Sequence, residues 1–152
     1  MTSRWFHAAC LAVASGSWAA CAHPEVTRTS WGDGSPAASI TRVRGELQGP
    51  YLLFHPGGAP HVEMHFERGL REGDYREWFP GGELAVTGQY AHGLRVGEWT
   101  EFVRSGQPRT RGSFVAGDKD GRWTIFDDEG RPGTAETWEH GTRRTRSSAP
   151  PR

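Results

Sequence analysis

The sequence predicts an all-β protein, an elongated single-layer antiparallel meander built from tandem 24-residue β-hairpin repeats. Three observations carry this prediction. Glycines recur at a fixed interval: Gly45, Gly69, Gly93, Gly117 and Gly141 stand 24 residues apart, and so do Gly49, Gly73, Gly97 and Gly121. Aromatics keep the same register, with Tyr51, Tyr75, Trp99 and Trp123, then Phe54, Trp78, Phe102 and Phe126, and a closing set of Phe66, Tyr90, Phe114 and Trp138. The closing half of each copy also alternates with period two, as in Val62, Met64 and Phe66 or Val86, Gly88 and Tyr90, which marks a half-buried strand. Tandem copies without insertions at such a period indicate a repeat architecture, stabilised from neighbour to neighbour rather than by a thick core.

The chain has 152 residues, enough for one domain. Eighteen basic residues balance eighteen acidic ones, so no global field would draw nucleic acid or an anionic membrane. The two cysteines, Cys10 and Cys21, both lie in the first segment, which excludes a disulfide framework in the repeats.

Taken in order, residues 1–20 read as a secretory signal peptide. Arg4 supplies the positive end, Trp5 to Ala20 is mostly apolar or small, and no acidic residue precedes Glu25. Two processing outcomes are open. Trp18-Ala19-Ala20-Cys21 resembles a bacterial lipobox, with Trp18 where an aliphatic residue is usual, and would place a lipid on Cys21. Ala20-Cys21-Ala22 instead fits an A-x-A site that would release a soluble periplasmic or extracellular chain. Residues 21–40 are rich in Pro, Gly, Ser and Thr and read as a flexible tether, about 25 Å long as a random coil.

The array occupies residues 41–144, with four full copies starting at 45, 69, 93 and 117 and degenerate ends. Two kinds of turn join its strands. Pro80-Gly81-Gly82-Glu83, Ser105-Gly106 and Glu129-Gly130 read as tight hairpins of the primed type. Gly69 to Gly73, Gly93 to Gly97 and Gly117 to Gly121 read as five-residue connectors with a structural glycine at each end. The opening strands carry two aromatics three residues apart. Either both faces of the sheet bear aromatics, or a bulge brings the pair to one face. About nine strands result, and residues 145–152 form a disordered basic tail.

The pattern G-x3-G-x-[YW]-x2-[FW]-x3-G, clearest in Gly97-Glu98-Trp99-Thr100-Glu101-Phe102 and Gly121-Arg122-Trp123-Thr124-Ile125-Phe126, resembles the variant form of the MORN repeat (membrane occupation and recognition nexus). The resemblance covers residues 41–144 and implies a single-layer sheet of successive hairpins. It also implies protein–protein contacts or membrane association, and bacterial members are often labelled antitoxin-like. GRWTIFDDEG is in addition faintly similar to choline-binding repeats, in which aromatics of adjacent hairpins cage a quaternary ammonium.

Chemistry is sparse. His55, His61 and His65 surround one hairpin, yet exposed polar positions explain them better than a metal site, which needs three or four converging ligands. Asp118-Lys119-Asp120-Gly121 lacks the distal glutamate of a calcium loop. No nucleophile elbow or phosphate loop occurs in the repeats. The expectation is therefore a non-enzymatic protein without cofactor or metal, exported and lipid-anchored through Cys21. It acts as a protein-interaction scaffold at the cell envelope through Tyr75, Trp78, Trp99, Phe102, Trp123 and Phe126. The alternative is a glycan- or choline-binding module that uses the same aromatics. Its open edge strands would allow homodimers.

Overall fold

The computed structural model describes residues 22–148. Those residues form one antiparallel sheet of eleven strands whose spatial order is their order in the chain. The strands are β1 (Glu25–Ser30), β2 (Pro36–Val43), β3 (Glu46–Phe54), β4 (Pro60–Glu67), β5 (Leu70–Trp78), β6 (Leu84–Ala91), β7 (Leu94–Phe102), β8 (Pro108–Val115), β9 (Asp118–Phe126), β10 (Pro132–Glu139) and β11 (Thr142–Ser148). This is the expected single-layer hairpin meander. At the usual spacing between strands it is about 50 Å long. Residues 1–20, expected to be a signal peptide, and Cys21 lie outside the described residues.

The two margins of the sheet carry different turns, each the reverse of the sequence expectation. Along one margin, β6 and β7 are joined by only His92 and Gly93, with φ of 51° and 83°. Two consecutive left-handed residues are the mark of a primed two-residue turn. Arg44-Gly45, Arg68-Gly69, Ala116-Gly117 and His140-Gly141 repeat it. The five-residue connectors are therefore not loops, because Leu94 to Gly97 already belongs to β7. Along the other margin, Val103 N–H donates to Gln107 O and Gly106 N–H to Val103 O, which closes a three-residue loop with Gly106 at φ 84°. Here the glycine supplies the single left-handed position after a β-turn. Pro60, Pro108 and Pro132 open the strands that follow such loops, next to a register shift. A residue without an N–H is tolerated at that place.

The second glycine of each copy makes a bulge inside the strand. Thr87 pairs with Thr100 and Gln89 with Val96, so Gly97, Glu98 and Trp99 together face Gly88 alone. Gly97 takes φ 64° to allow this, and Gly73 and Gly121 do the same in β5 and β9. A bulge that adds two residues keeps the side-chain parity of the strand while bending it. It leans the next aromatic back across the preceding strand.

Two boundaries differ from the sequence expectation. Residues 21–40 were expected as a tether, but Glu25–Ser30 pairs with Pro36–Val43 across a loop closed by Trp31 N–H to Ser35 O. The tail expected from residue 145 instead continues β11 to Ser148. Every residue of β1 and β11 is exposed. Backbone ladders hold these strands with no apolar face to bury, so the sequence carried no hydrophobic period there to reveal them.

Candidate interaction surface

The aromatic ladder begins with Gly88 and Gly112. Tyr75 and Trp99 lie on either side of Gly88 as cross-strand and bulge neighbours, and their rings stack at 5.4 Å with 28° between planes. A Cβ on Gly88 would fall 2.2 Å from the Trp99 ring, and one on Gly112 would fall 2.2 Å from the Trp123 ring. Each indole fills the space that a glycine leaves. It also donates Nε1–H to a carbonyl ten residues back, Trp99 to Gln89 at 3.2 Å and Trp123 to Ser113 at 3.1 Å. Where the aromatic is the smaller Tyr75, the matching position is Met64.

Tyr90, Phe114 and the two tryptophans complete the ladder through edge-to-face contacts of 5.1–5.9 Å. Tyr90, Trp99, Phe114 and Trp123 are the buried cluster, with Tyr75, Val86 and Trp138 packed against it. Trp99 and Trp123 are each only 5 % exposed, which leaves their rings little area to offer a partner. The Tyr75 phenol is pushed up by burial, and a 2.8 Å hydrogen bond to the Glu77 carboxylate adds to the shift.

The six aromatics expected to form one interaction face do not lie together. Tyr75, Trp99 and Trp123 share the ladder face. Trp78, Phe102 and Phe126 lie on the opposite face as a half-buried row, outside the buried cluster. Parity explains the split, because the bulge ends at Trp99 and the register shift at Glu101/Phe102 puts its extra residue, Arg109, in β8 and not in β7. Arg111, which pairs with Thr100 and Thr124, lies over Phe126 at 5.9 Å and marks that second face. The turn glycines Gly69, Gly93 and Gly117 donate to Leu47 O, Arg71 O and Arg95 O at 2.9–3.0 Å. These bonds tie each primed turn to the previous repeat.

Sequence reading missed a second set of residues in the same register. Arg71, Arg95, Lys119 and Arg143 stand 24 residues apart. They pair across strands with Phe66, Tyr90, Phe114 and Trp138 respectively. Cations and aromatics thus alternate in one row across the ladder face. Arg71 lies 4.4 Å over Tyr90 and donates to its hydroxyl at 3.1 Å. Arg95 lies 4.8 Å over Trp99, and Lys119 4.1 Å over Trp123. The Trp99 and Trp123 rings, on which an external quaternary ammonium would sit, are thus covered by the chain's own cations. That weighs against the choline-like alternative. The signal was legible as a 24-residue period in charge, but the glycine and aromatic periods obscured it.

At the end of the row, Glu136 is buried and accepts hydrogen bonds from Trp138 at 3.1 Å and Arg143 at 3.0 Å. Burial pushes its carboxyl up, but these bonds and the charges of Arg143 and Arg146 outweigh that and hold it below the usual carboxylate range. Among the histidines, the His55 and His61 rings face each other at 4.2 Å, while His65 lines a separate depression with Glu63, Asp74 and Arg76. Among the described residues no group of three or more His, Cys, Asp or Glu converges as metal ligands would.

No protein-family profile and no curated protein matches the chain. Among solved structures, it is similar to a chain of the Glycosylation Associate Protein (Gap123) complex from Streptococcus agalactiae, at 17 % identity and a TM-score of 0.38. The match covers 68 % of this chain and 19 % of that one, so the protein spans about a fifth of its neighbour's length.

Proposed function

We propose that this protein is an exported, lipid-anchored and non-enzymatic repeat protein of the MORN type, which presents its sheet to a protein partner at the cell envelope. The observation that carries this reading is the in-register repetition of side chains on a sheet with no second layer. Every other strand places the same residue types at the same height, so the surface offers one motif several times along a line. Such surfaces suit extended binding, as in other repeat proteins. The buried residues have structural duties, and among the described residues no cluster of perturbed titratable groups gathers in a cleft as an active site would need.

The short spacer sharpens the anchoring part of the proposal. Between Cys21 and the start of β1 at Glu25 lie only Ala22, His23 and Pro24. Fully extended, they reach about 10 Å. A lipid on Cys21 would hold the β1 end of the sheet close against the bilayer, rather than on a long tether. The Cys21→Ser variant is expected to move the protein from the membrane fraction to the soluble fraction. Unchanged fractionation would overturn the anchor. For the scaffold, in-cell cross-linking and affinity capture should recover a stoichiometric protein partner, and recovery of none would overturn it.

A further inference from the structure

We propose that the second face of the sheet binds a linear, neutral polysaccharide of β-1,4-linked hexopyranoses, seated across two depressions between β3 and β7. The site lies apart from the aromatic ladder, and it goes beyond the protein-scaffold reading without depending on it. Its first support is repetition. One depression, of about 430 Å³, is lined by Glu63, His65, Asp74 and Arg76, and another, of about 410 Å³, by Asp74, Arg76, Thr87, Gln89 and Glu98. Thr87, Gln89 and Glu98 stand 24 residues after Glu63, His65 and Asp74, so the second depression is the first moved on by one repeat. Glu63 pairs with Arg76, Arg76 with Thr87, Thr87 with Thr100 and Thr100 with Arg111, which puts both depressions on the face that Arg111 marks. Each opens where a bulge bends the sheet, beside Gly73 in the first and Glu98 in the second.

The second support is the chemistry of the lining. Glu63, Asp74, Arg76, Gln89 and Glu98 are exposed, and they set carboxylates, a guanidinium and an amide side by side. They are only loosely tied to one another. Arg76 reaches Asp74 at 3.5 Å and Glu63 at 3.9 Å, and Gln89 donates to Asp74 at 3.1 Å. A guanidinium has several N–H donors in a fixed fork, so most of those of Arg76 remain for a ligand. Sugar hydroxyls donate and accept at once, which suits such a mixed lining. Carboxylates outnumber the arginine in both depressions, which disfavours a polyanion. An extended peptide takes its affinity from free backbone groups at a sheet edge, whereas β3 to β7 are paired on both sides.

The third support is spacing. The depressions are two strands apart, about 10 Å, which is also the advance of one disaccharide in an extended β-1,4-linked chain. Every second ring of such a chain presents the same edge to the sheet, whereas an α-linked chain coils and loses that period. Trp78 stands two residues beyond Arg76 on the same face, about 7 Å along β5, and Phe102 follows on β7. The half-buried aromatic row thus runs beside the depressions as an apolar wall for the C–H faces of the sugars. The site ends at the next repeat, where Arg111 takes the place of Glu63 and Thr87. Its guanidinium lies 3.3 Å from Thr100 Oγ1 and 3.8 Å from Glu98, and so fills the space. A tetrasaccharide covers both open depressions.

The test titrates the native chain by isothermal calorimetry with cello-, chito- and malto-oligosaccharides of graded length. Cellohexaose or chitohexaose should bind, and maltohexaose, equal in length but α-linked, should bind about tenfold more weakly, as one or two lost hydrogen bonds predict. In the series that binds, the tetrasaccharide should exceed the disaccharide by about tenfold or more, because it links the two depressions. The variant Asp74→Ala, Arg76→Ala removes the two side chains common to both depressions without changing net charge, and it should lose about tenfold or more in affinity. The control Glu101→Ala, Arg109→Ala is likewise exposed and neutral in net charge, lies outside the depressions, and should keep it.

Failure of both β-linked hexasaccharides to bind the native chain overturns the proposal even if the variant does not fold, and so does equal binding of maltohexaose. Undiminished binding by a double variant with native circular dichroism also overturns it. So does an affinity that does not rise from disaccharide to tetrasaccharide, since the repeated site is then not used. A preference for cellohexaose or for chitohexaose upholds the site and names its source, a glucan or an amino-sugar backbone. Tighter binding of heparin than of either rejects the neutral ligand. A protein captured from the protein's own cells by the native chain and lost in the double variant, with no oligosaccharide bound, gives this face to the scaffold instead.

Discussion

Gly88 and Trp99 show how much of this protein is decided by pairs of residues eleven apart. The indole occupies the volume that a glycine gives up, so the two positions function as one unit. Replacing Gly88 with Ala drives a methyl to within 2.2 Å of the Trp99 ring and should cost about 3 kcal/mol in urea unfolding. Gly106→Ala is a useful contrast, because nothing lies within 4 Å of the new Cβ and only φ 84° is strained. It should cost about 1–2 kcal/mol. The native pair Met64 and Tyr75 suggests a rescue. Gly88→Met combined with Trp99→Tyr should be markedly less destabilised than the sum of the single variants, and additivity would reject size complementarity as the reason for the pairing.

At the scale of the element, β10 and β11 are held by charge as well as by backbone. Glu136 links them through Arg143 and Arg146, and its carboxyl is held below its ordinary value by those partners despite burial. A carboxyl with a lowered folded-state pKa binds its proton more weakly folded than unfolded. Its contribution is therefore complete above roughly pH 5 and is lost as pH falls through the carboxylate range. Hydrogen exchange of the β11 amides should accelerate selectively below that range. Glu136→Gln should abolish the selectivity, and a β11 response unchanged by the substitution would show that other carboxylates carry the pH dependence. The opposite edge, β1, has no such staple and should exchange faster at all pH values, while still showing protection that a flexible tether could not.

Across the whole molecule, the sheet is a one-dimensional stack in which each repeat contacts only its neighbours. Strand pairs adjacent in sequence carry most of the contacts, and those that skip a strand, such as the primed-turn bonds, the Tyr75–Trp99 stack and the bond between His55 and Trp78 O, reach only the neighbouring repeat. Removing residues 93–116 deletes β7 and β8 with one turn of each kind, and it joins β6 to β9 in the same register. The shortened chain should fold with native-like circular dichroism and a smaller urea m-value, in proportion to the surface lost. Deleting half of that segment would put a strand of the wrong type beside β6 and should abolish cooperative unfolding. Similar behaviour of the two deletions would mean that register is not what holds the array together.

The architecture was legible because its causes are local and repeated. A glycine every 24 residues marks a turn, and an aromatic in fixed phase marks a strand, so the single-layer meander follows from the chain alone. Turn types were not legible, because a glycine supplies left-handed φ equally to a primed turn, a three-residue loop and a bulge. Only pairing reveals that His92, with no turn signal of its own, is the other left-handed residue. Nor could periodicity choose a face for Trp99 and Phe102. That choice depends on where the extra residues of the bulge fall relative to the neighbouring strand, a relation between chains of residues far apart in sequence. Tertiary structure alone turned Trp99 and Trp123 from a candidate binding surface into the packed interior, with the Arg95 and Lys119 cations lying over their rings.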